Sequence, residues 1–244
     1  MTALLRAELL KLRTTRTFVT LVATATVLSL GLTILVALKS TPRTPDDVRD
    51  FYNAINPSAL LALVLGAIGM TGEWRHRTIT SAVFAAPDRV RLLAAKTLSH
   101  AFAGVVLALA VSAVIMLVGS VILTTRGQVT LGGGAIADVI WRNLVIAALF
   151  GALGVGIGAV VRNQVGTVVG IVLVLFVIEP ILVQALPDVG RFGPLSGAPN
   201  GILGSFDLPH GDLLAPGIAA AVLIGWVSAT FAAGATLLRR RDLV

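Results

Sequence analysis

Six long apolar stretches constrain this chain more than any other feature of its sequence. A helix needs about 20 mostly apolar residues to cross the roughly 30 Å hydrocarbon core of a bilayer. The stretches are close to that length or longer, and they lack the alternation of barrel strands. We therefore predict an all-α membrane protein with six transmembrane helices, over residues 17–38, 55–72, 97–123, 143–161, 164–186 and 213–238.

The composition agrees with this fold class. Apolar residues make up 56% of the 244 positions and charged residues 13%, whereas about a quarter of a typical soluble domain is charged. We find no internal repeat, so residues 1–244 are expected to form a single transmembrane domain. Cysteine is absent, which excludes a disulfide framework, a thiolate nucleophile and a cysteine metal site.

The first 16 residues have the pattern of an amphipathic helix. Leu5, Leu9 and Leu12 recur at helical spacing, while Arg6 and Lys11 lie off that stripe. We predict a helix lying in the membrane interface; a disordered basic tail is the alternative. The segment resembles the start of a secretory signal, but cleavage after the small residues 23–25 would leave too short an apolar region, so a retained first helix is predicted.

The distribution of the 19 lysines and arginines predicts the orientation. Most of them fall in residues 1–16, 73–96, 162–163 and 239–241, and cytoplasmic loops carry an excess of these residues. Both termini are therefore expected in the cytoplasm, and the protein in the cell membrane. Because the basic residues are spread over short segments without a recognition motif, no nucleic-acid partner is predicted.

Two segments are expected on the opposite side of the membrane. Residues 39–54 contain Pro42 and Pro45, from which we predict a loop without regular helix. Residues 187–212 are rich in proline and glycine but include apolar pieces. They could fold back toward the bilayer as short broken helices, which requires that protein buries the backbone; an irregular surface loop is the alternative.

No nucleotide, metal or catalytic site is recognisable in the sequence. Lys96 and Thr97 could end a phosphate-binding loop, but Val90 and Ala95 occupy the positions where its glycines are needed. His76, His100 and His210 are isolated in the sequence and lack the spacing of metal ligands. We therefore predict no enzymatic activity and no cofactor bound by this chain.

Glu179 is an acidic residue well inside an apolar stretch, and Pro180 follows it. An ionisable group at this depth is costly unless it faces protein or water. Three interpretations stay open: a proton or cation relay, a polar lining of a translocation path, and a structural cap near the end of a tilted helix.

A charged block, residues 73–96, lies between the second and third apolar stretches. After Glu73 and Arg75, Ile79, Val83 and Phe84 recur at helical spacing, and a proline ends the pattern. The pattern predicts a short amphipathic helix along the membrane surface. A loop that only determines topology would not need such a regular arrangement of charged, apolar and proline residues.

The chain resembles the permease subunits of ABC-2 type exporters, in particular small actinobacterial ones. The resemblance rests on six predicted helices and on two segments: the lead Glu8–Arg16, and the block with Glu73-x-Arg75-x-Arg77-Thr78, Ala86-Pro87-x-Arg89 and Lys96. The resemblance covers essentially the whole chain. In the last three helices it rests on hydropathy alone.

The resemblance implies an elbow helix over residues 1–16 and, in the block, a coupling helix that docks on a separate ATPase. The implied coupling residues are Glu73, Arg75, Arg77, Thr78, Ile79, Val83, Phe84, Pro87 and Arg89. The implied partners are an ABC ATP-binding subunit carrying ATP and Mg²⁺, a second identical or homologous permease, and membrane lipids. An ion-coupled secondary transporter and a non-transporting scaffold or immunity protein are the alternatives.

Overall fold

In the computed structural model, residues 1–76, 78, 84, 88–204 and 212–240 are described, and their regular elements are helices. The bounds are α1 Thr2–Thr14, α2 Arg16–Lys39, α3 Pro45–Ala54, α4 Ser58–Arg75, α5 Arg89–Thr125, α6 Gly133–Val161, α7 Gln164–Leu173, α8 Glu179–Ala185, α9 Pro187–Gly190, α10 Gly197–Leu203 and α11 Pro216–Arg240. A single π-helical turn, Val174–Ile178, joins α7 to α8.

Six helical spans in the described part of the chain are long and apolar enough to cross a membrane. They are α2, α3 with α4, α5, α6, α7 with α8, and α11. The prediction of an all-helical membrane protein with six membrane-length helices is confirmed, and the protein is a multi-pass membrane protein. Many apolar side chains of α2, α7 and α8 are exposed, as expected for surfaces that face lipid or another membrane protein.

The centre of the molecule is α6, which packs against α4, α5 and α11. Glycines allow this packing because they let two helix backbones approach closely. A Cβ added at Gly154 would overlap the carbonyl oxygen of Leu63 on α4, and one at Gly66 would overlap the carbonyl oxygen of Gly151 on α6. The backbones of α4 and α6 therefore approach each other so closely that side chains at these positions would not fit.

The prediction that residues 39–54 contain no regular helix was wrong. Pro45 is the first residue of α3, where a missing N–H costs nothing because the first amides of a helix have no partner within it. The Thr44 hydroxyl accepts from the Asp47 amide, and the Asp47 carboxylate accepts from the Thr44 amide, which closes a capping box. The buried Val48, Phe51 and Tyr52 attach α3 to the core.

The segment 187–204 folds as two short helices, α9 and α10. Ala198, Gly201 and Ile202 of α10 are buried, and α10 packs against α11 and α6. Short helices are therefore observed in 187–204, and α10 is buried by protein, whereas a return of this segment toward the bilayer stays a prediction. Residues 205–211 of the predicted segment lie outside the described residues.

Candidate functional site

The residues predicted for coupling flank the connection from α4 to α5. Glu73 and Arg75 lie in the last turn of α4, and Arg89 is the first residue of α5. The Phe84 side chain is 82% exposed, and Thr78 and Arg75 are exposed as well. Four of the predicted residues lie outside the described residues: Arg77, Ile79, Val83 and Pro87. The predicted amphipathic helix falls largely within that part.

A buried ion cluster links the two helices that border this connection to α1. Lys96 of α5 donates to Glu8 Oε2 at 2.7 Å and to Glu73 Oε1 at 2.9 Å. Lys11 of α1 donates to Glu8 Oε1 at 2.6 Å and to the same Glu73 Oε1 at 3.1 Å. We call these four residues, Glu8, Lys11, Glu73 and Lys96, the ion cluster. The Lys96 side chain is 3% exposed and that of Glu8 4%, so these charges are neutralised by one another.

The pKa values of the α1 members reflect this mutual neutralisation. Burial alone would raise the pKa of Glu8, but the charges and hydrogen bonds of Lys96 and Lys11 outweigh burial and hold that pKa below its usual value. Burial alone would lower the pKa of Lys11, but its contacts with Glu8 and Glu73 raise it above its usual value. Both groups are therefore charged near neutral pH, and their ion pairs persist over a wide pH range.

Further polar contacts connect the same end of the helix bundle. Arg75 Nη1 donates to Gln164 Oε1 at 3.2 Å, which ties the end of α4 to the start of α7. The guanidinium of Arg162, at the C-terminus of α6, lies 4.4 Å from the centre of the Trp74 ring. The end of α4 is thus held from two sides by residues of the α6–α7 corner.

The C-terminal end of α11 is held in a similar way. Arg89 Nη1 donates to the Leu238 carbonyl oxygen at 2.5 Å, and Arg162 Nη2 donates to that of Leu237 at 3.0 Å. Carbonyl oxygens in the last turn of a helix lack partners within the helix, and arginines supply them here. Arg89 is thus a contact between α5 and α11.

A cavity of about 720 Å³ opens beside the ion cluster, between α1, α2, α4 and α5. Its wall includes the four cluster residues and His100. Phe18, Leu65 and Ile68 also line it. The cavity wall therefore combines charged and apolar side chains.

Glu179 lies buried at a second place, near the other end of the bundle. Its Oε1 accepts from the Leu195 amide at 2.8 Å, and its Oε2 accepts from the Ser196 amide at 2.5 Å and the Ser196 hydroxyl at 2.6 Å. Residues 195 and 196 precede α10, so the carboxylate fastens the segment 187–204 to α8. A nearly all-apolar cavity of about 560 Å³ adjoins it, between α6, α7, α8 and α11.

Glu8, Lys11 and His100 were not among the residues predicted for coupling. A signal for Glu8 was present, because it lies on the apolar Leu5–Leu9–Leu12 face of the first helix, and an acid on an apolar face needs a partner. Its partner, Lys96, lies 88 positions away. Nothing in the spacing of the two residues identifies that pairing.

Comparison with known proteins gives one family. A family model described as ABC-2 family transporter protein matches residues 4–180, which is well over half of the chain and includes α1, the ion cluster and α2 to α7. No curated protein matches the chain.

Proposed function

The chain belongs to the ABC-2 transporter family, and we propose that it is the membrane-spanning permease subunit of an ATP-driven exporter. Permeases of this family are membrane components and not themselves catalytic. The work of transport would come from two separate ATP-binding subunits, which hold ATP and Mg²⁺, because this sequence carries no phosphate-binding loop of its own.

The observation that carries this proposal is the ion cluster. Glu73 lies two residues before the end of α4, and Lys96 lies about two turns into α5. Their 2.9 Å ion pair therefore joins both sides of the α4–α5 connection, and Glu8 and Lys11 attach α1 to the same pair. A force applied to the connection is expected to move α1, α4 and α5 as a unit, as mechanical coupling to an ATPase requires.

We assign different parts to the predicted coupling residues. Arg75 and Phe84 are exposed and are proposed to contact the ATP-binding subunit, together with Thr78 and with Arg77, Ile79, Val83 and Pro87. Glu73, whose side chain is 11% exposed, is proposed to transmit the force within the permease. Arg89 is proposed to pass the movement to α11 through the Leu238 carbonyl.

We propose that the ion cluster faces the cytoplasm, with both termini on that side of the cell membrane. In support, Arg75, Arg89 and Arg162 make their contacts at the same end of the bundle as the cluster, as the positive-inside rule requires of the cytoplasmic end. On this orientation α1 is an elbow helix at the inner membrane surface, and residues 187–204 lie at the outer surface, re-entering the membrane.

A second permease copy, identical or homologous, completes the proposed transporter. The exposed apolar face of α7 and α8 supports this, since Val165, Phe176 and Ile181 are each at least 60% exposed and require lipid or protein cover. The translocation path would then lie between the two copies. Glu179 is proposed to hold the segment that borders the outer end of this path.

ATP hydrolysis by the partner tests this function. The permease is co-expressed with an ATP-binding subunit, and hydrolysis is measured for the ATPase alone and for the complex. We expect the complex to form and its hydrolysis rate to change at least threefold with the permease. In the Arg75→Glu, Arg77→Glu double variant the effect is expected to vanish, whereas Arg43→Glu, an exposed charge reversal at the opposite end of the bundle, should keep it. Absence of a complex with any ATP-binding protein would contradict the proposal.

A further inference from the structure

The 720 Å³ cavity beside the ion cluster has the shape and polarity of a site for an amphiphile. Its volume lies within the usual range for small-molecule sites, about 300–1,000 Å³. Glu73 and Leu65 line it eight residues apart on α4, which corresponds to about 12 Å along the helix axis. The wall is charged at the Glu73 end and apolar at the Leu65 end, so one molecule could place a polar head and an apolar tail in matching surroundings.

The hydrogen-bond pattern of the cluster leaves an acceptor at the charged end. Both oxygens of Glu8 are occupied, one by Lys11 and one by Lys96. Glu73 Oε1 receives both lysines, but Glu73 Oε2 is buried and has no hydrogen-bond partner among the described residues. A buried carboxylate oxygen without a donor is costly, and a ligand with N–H groups would supply one.

His100 provides a second acceptor one helical turn from Lys96. Its Nδ1 lies 2.8 Å from the Lys96 carbonyl oxygen, which can only accept, so Nδ1 carries the proton of the neutral ring. The lone pair is then on Nε2, which is also buried without a partner among the described residues. This nitrogen lies against Gly69, where a Cβ would overlap it, so the missing side chain makes room for the ring in the cavity wall.

We propose that this cavity binds an amphiphile with a protonated primary amine as its head and an apolar tail. The ammonium donates to Glu73 Oε2 after a small rotation of that carboxylate, with His100 Nε2 as a further acceptor. The tail lies along α4 against Phe18, Leu65 and Ile68. An anionic head is disfavoured because it would face the Glu73 carboxylate. This binding does not depend on the proposed transport function.

The test measures binding to the purified full-length chain in a nonionic detergent. Three probes share a dodecyl tail: dodecylammonium, dodecyltrimethylammonium, which has the same charge but no N–H, and dodecyl phosphate. We expect dodecylammonium to raise the unfolding temperature and each of the other two to give less than a third of that shift. Equal shifts from dodecylammonium and its trimethyl analogue would overturn the proposal.

A cavity-filling variant keeps the test independent of the ion cluster. Gly72 lines the cavity, and a Cβ there meets nothing within 4 Å. Gly72→Leu is therefore expected to fold and to raise the Kd for dodecylammonium at least tenfold. Gly31→Leu, at a glycine of α2 with equally open surroundings, should change the Kd less than twofold. Undiminished binding in Gly72→Leu would contradict the assigned site.

Lipid discs distinguish two sources of the amine. The chain is reconstituted in phosphatidylcholine with a small fraction of phosphatidylethanolamine, and the lipid retained after detergent extraction is measured by mass spectrometry. At least threefold enrichment of phosphatidylethanolamine over the bulk fraction, lost in Gly72→Leu, would identify an aminolipid headgroup. Dodecylammonium binding that Gly72→Leu weakens at least tenfold, without lipid enrichment, would support the same site with a soluble lipophilic amine. If neither enrichment nor dodecylammonium binding occurs, the proposal fails.

Discussion

Lys96 is the residue on which the charged end of the bundle depends most. Its ammonium is buried and is shared by carboxylates from two other helices. Removing one partner of a buried ion pair costs more than the pair itself contributes, because the remaining charge is left without compensation. Lys11 contacts the same two carboxylates, but its side chain is 52% exposed, so water can replace it.

We therefore expect Lys96→Met to destabilise the fold far more than Lys11→Met. Loss of the buried ammonium should lower the free energy of unfolding by about 3–5 kcal/mol, and loss of the half-exposed one by about 0–1 kcal/mol. Thermal or denaturant unfolding of the two variants in the same detergent measures the difference. Equal destabilisation would show that the burial of Lys96 does not matter.

The ion cluster also predicts sensitivity to acid. The pKa of folded Glu8 lies below its unfolded value of 4.5. The stabilisation from Glu8 is therefore fully present above pH 4.5 and is lost as the pH falls through the folded pKa. Glu8→Gln should be less stable than the wild type at pH 7 and should lose less further stability at pH 3. Unfolding midpoints at both pH values test this, and an identical acid-induced loss in both proteins would refute it.

At the residue scale, the sequence identifies individual residues of the ion cluster but does not show which of them contact each other. Glu73 and Lys96 are visible because they interrupt an apolar sequence, and the family resemblance includes both. Glu8 is visible as an acid on an apolar face. The contact between α1 and α5 depends on how three helices pack, and local spacing carries no information about that packing.

At the scale of elements, glycines determine how closely α4 and α6 approach. We expect Gly154→Ala to destabilise the protein by about 1–3 kcal/mol, because the new methyl group would overlap the Leu63 carbonyl oxygen and force the helices apart. Gly31→Ala adds the same atom where nothing lies within 4 Å and should be neutral or slightly stabilising. Unfolding temperatures compare the two, and equal effects would mean that the close approach is unimportant.

At the scale of elements, a π-helical turn and Glu179 together connect α7 and α8 to the segment 187–204. The widened turn Val174–Ile178 comes directly before Glu179 and Pro180, and the carboxylate accepts three hydrogen bonds from residues 195 and 196. Such turns occur often at functional sites. All three interpretations of Glu179 remain compatible with the sequence, and this geometry supports the structural one.

We expect Glu179→Gln to loosen the segment 187–204. Whichever way the amide is oriented, its NH₂ group faces a backbone N–H donor, at a cost of about 1–3 kcal/mol. Amide hydrogen exchange in residues 187–204 should accelerate by about tenfold or more. Asp188→Asn makes the same chemical change at a side chain that is 89% exposed and should leave exchange within about twofold. Unchanged exchange in Glu179→Gln would rule out the fastening role.

Hydropathy predicts the six long helices because each must present an apolar surface over about 20 residues. Hydropathy does not predict α3. This helix starts at Pro45 after the Thr44 N-cap, and a proline at this point of a sequence resembles a loop signal. Hydropathy also does not distinguish a regular helix from the π-turn between α7 and α8. The missed features are those set by a few specific hydrogen bonds.

At the scale of the whole molecule, one set of polar contacts joins six helices at the same end of the bundle. The ion cluster, the Arg75–Gln164 bond and the two arginines that hold α11 lie at that end. Together they connect α1, α4, α5, α6, α7 and α11. A movement of the α4–α5 connection can therefore reach most of the transmembrane helices without any chemistry in this chain.

Site-specific cross-linking tests most directly whether this connection is where a separate ATPase drives the permease. The chain has no cysteine, so Phe84→Cys and Val189→Cys, both at exposed positions outside the ion cluster, each give a single reactive thiol. In cells that express the whole transporter, we predict that a short thiol-reactive cross-linker joins position 84, but not position 189, to a protein that mass spectrometry identifies as carrying a Walker A sequence. No such adduct at position 84, or equal amounts at both positions, would contradict the account.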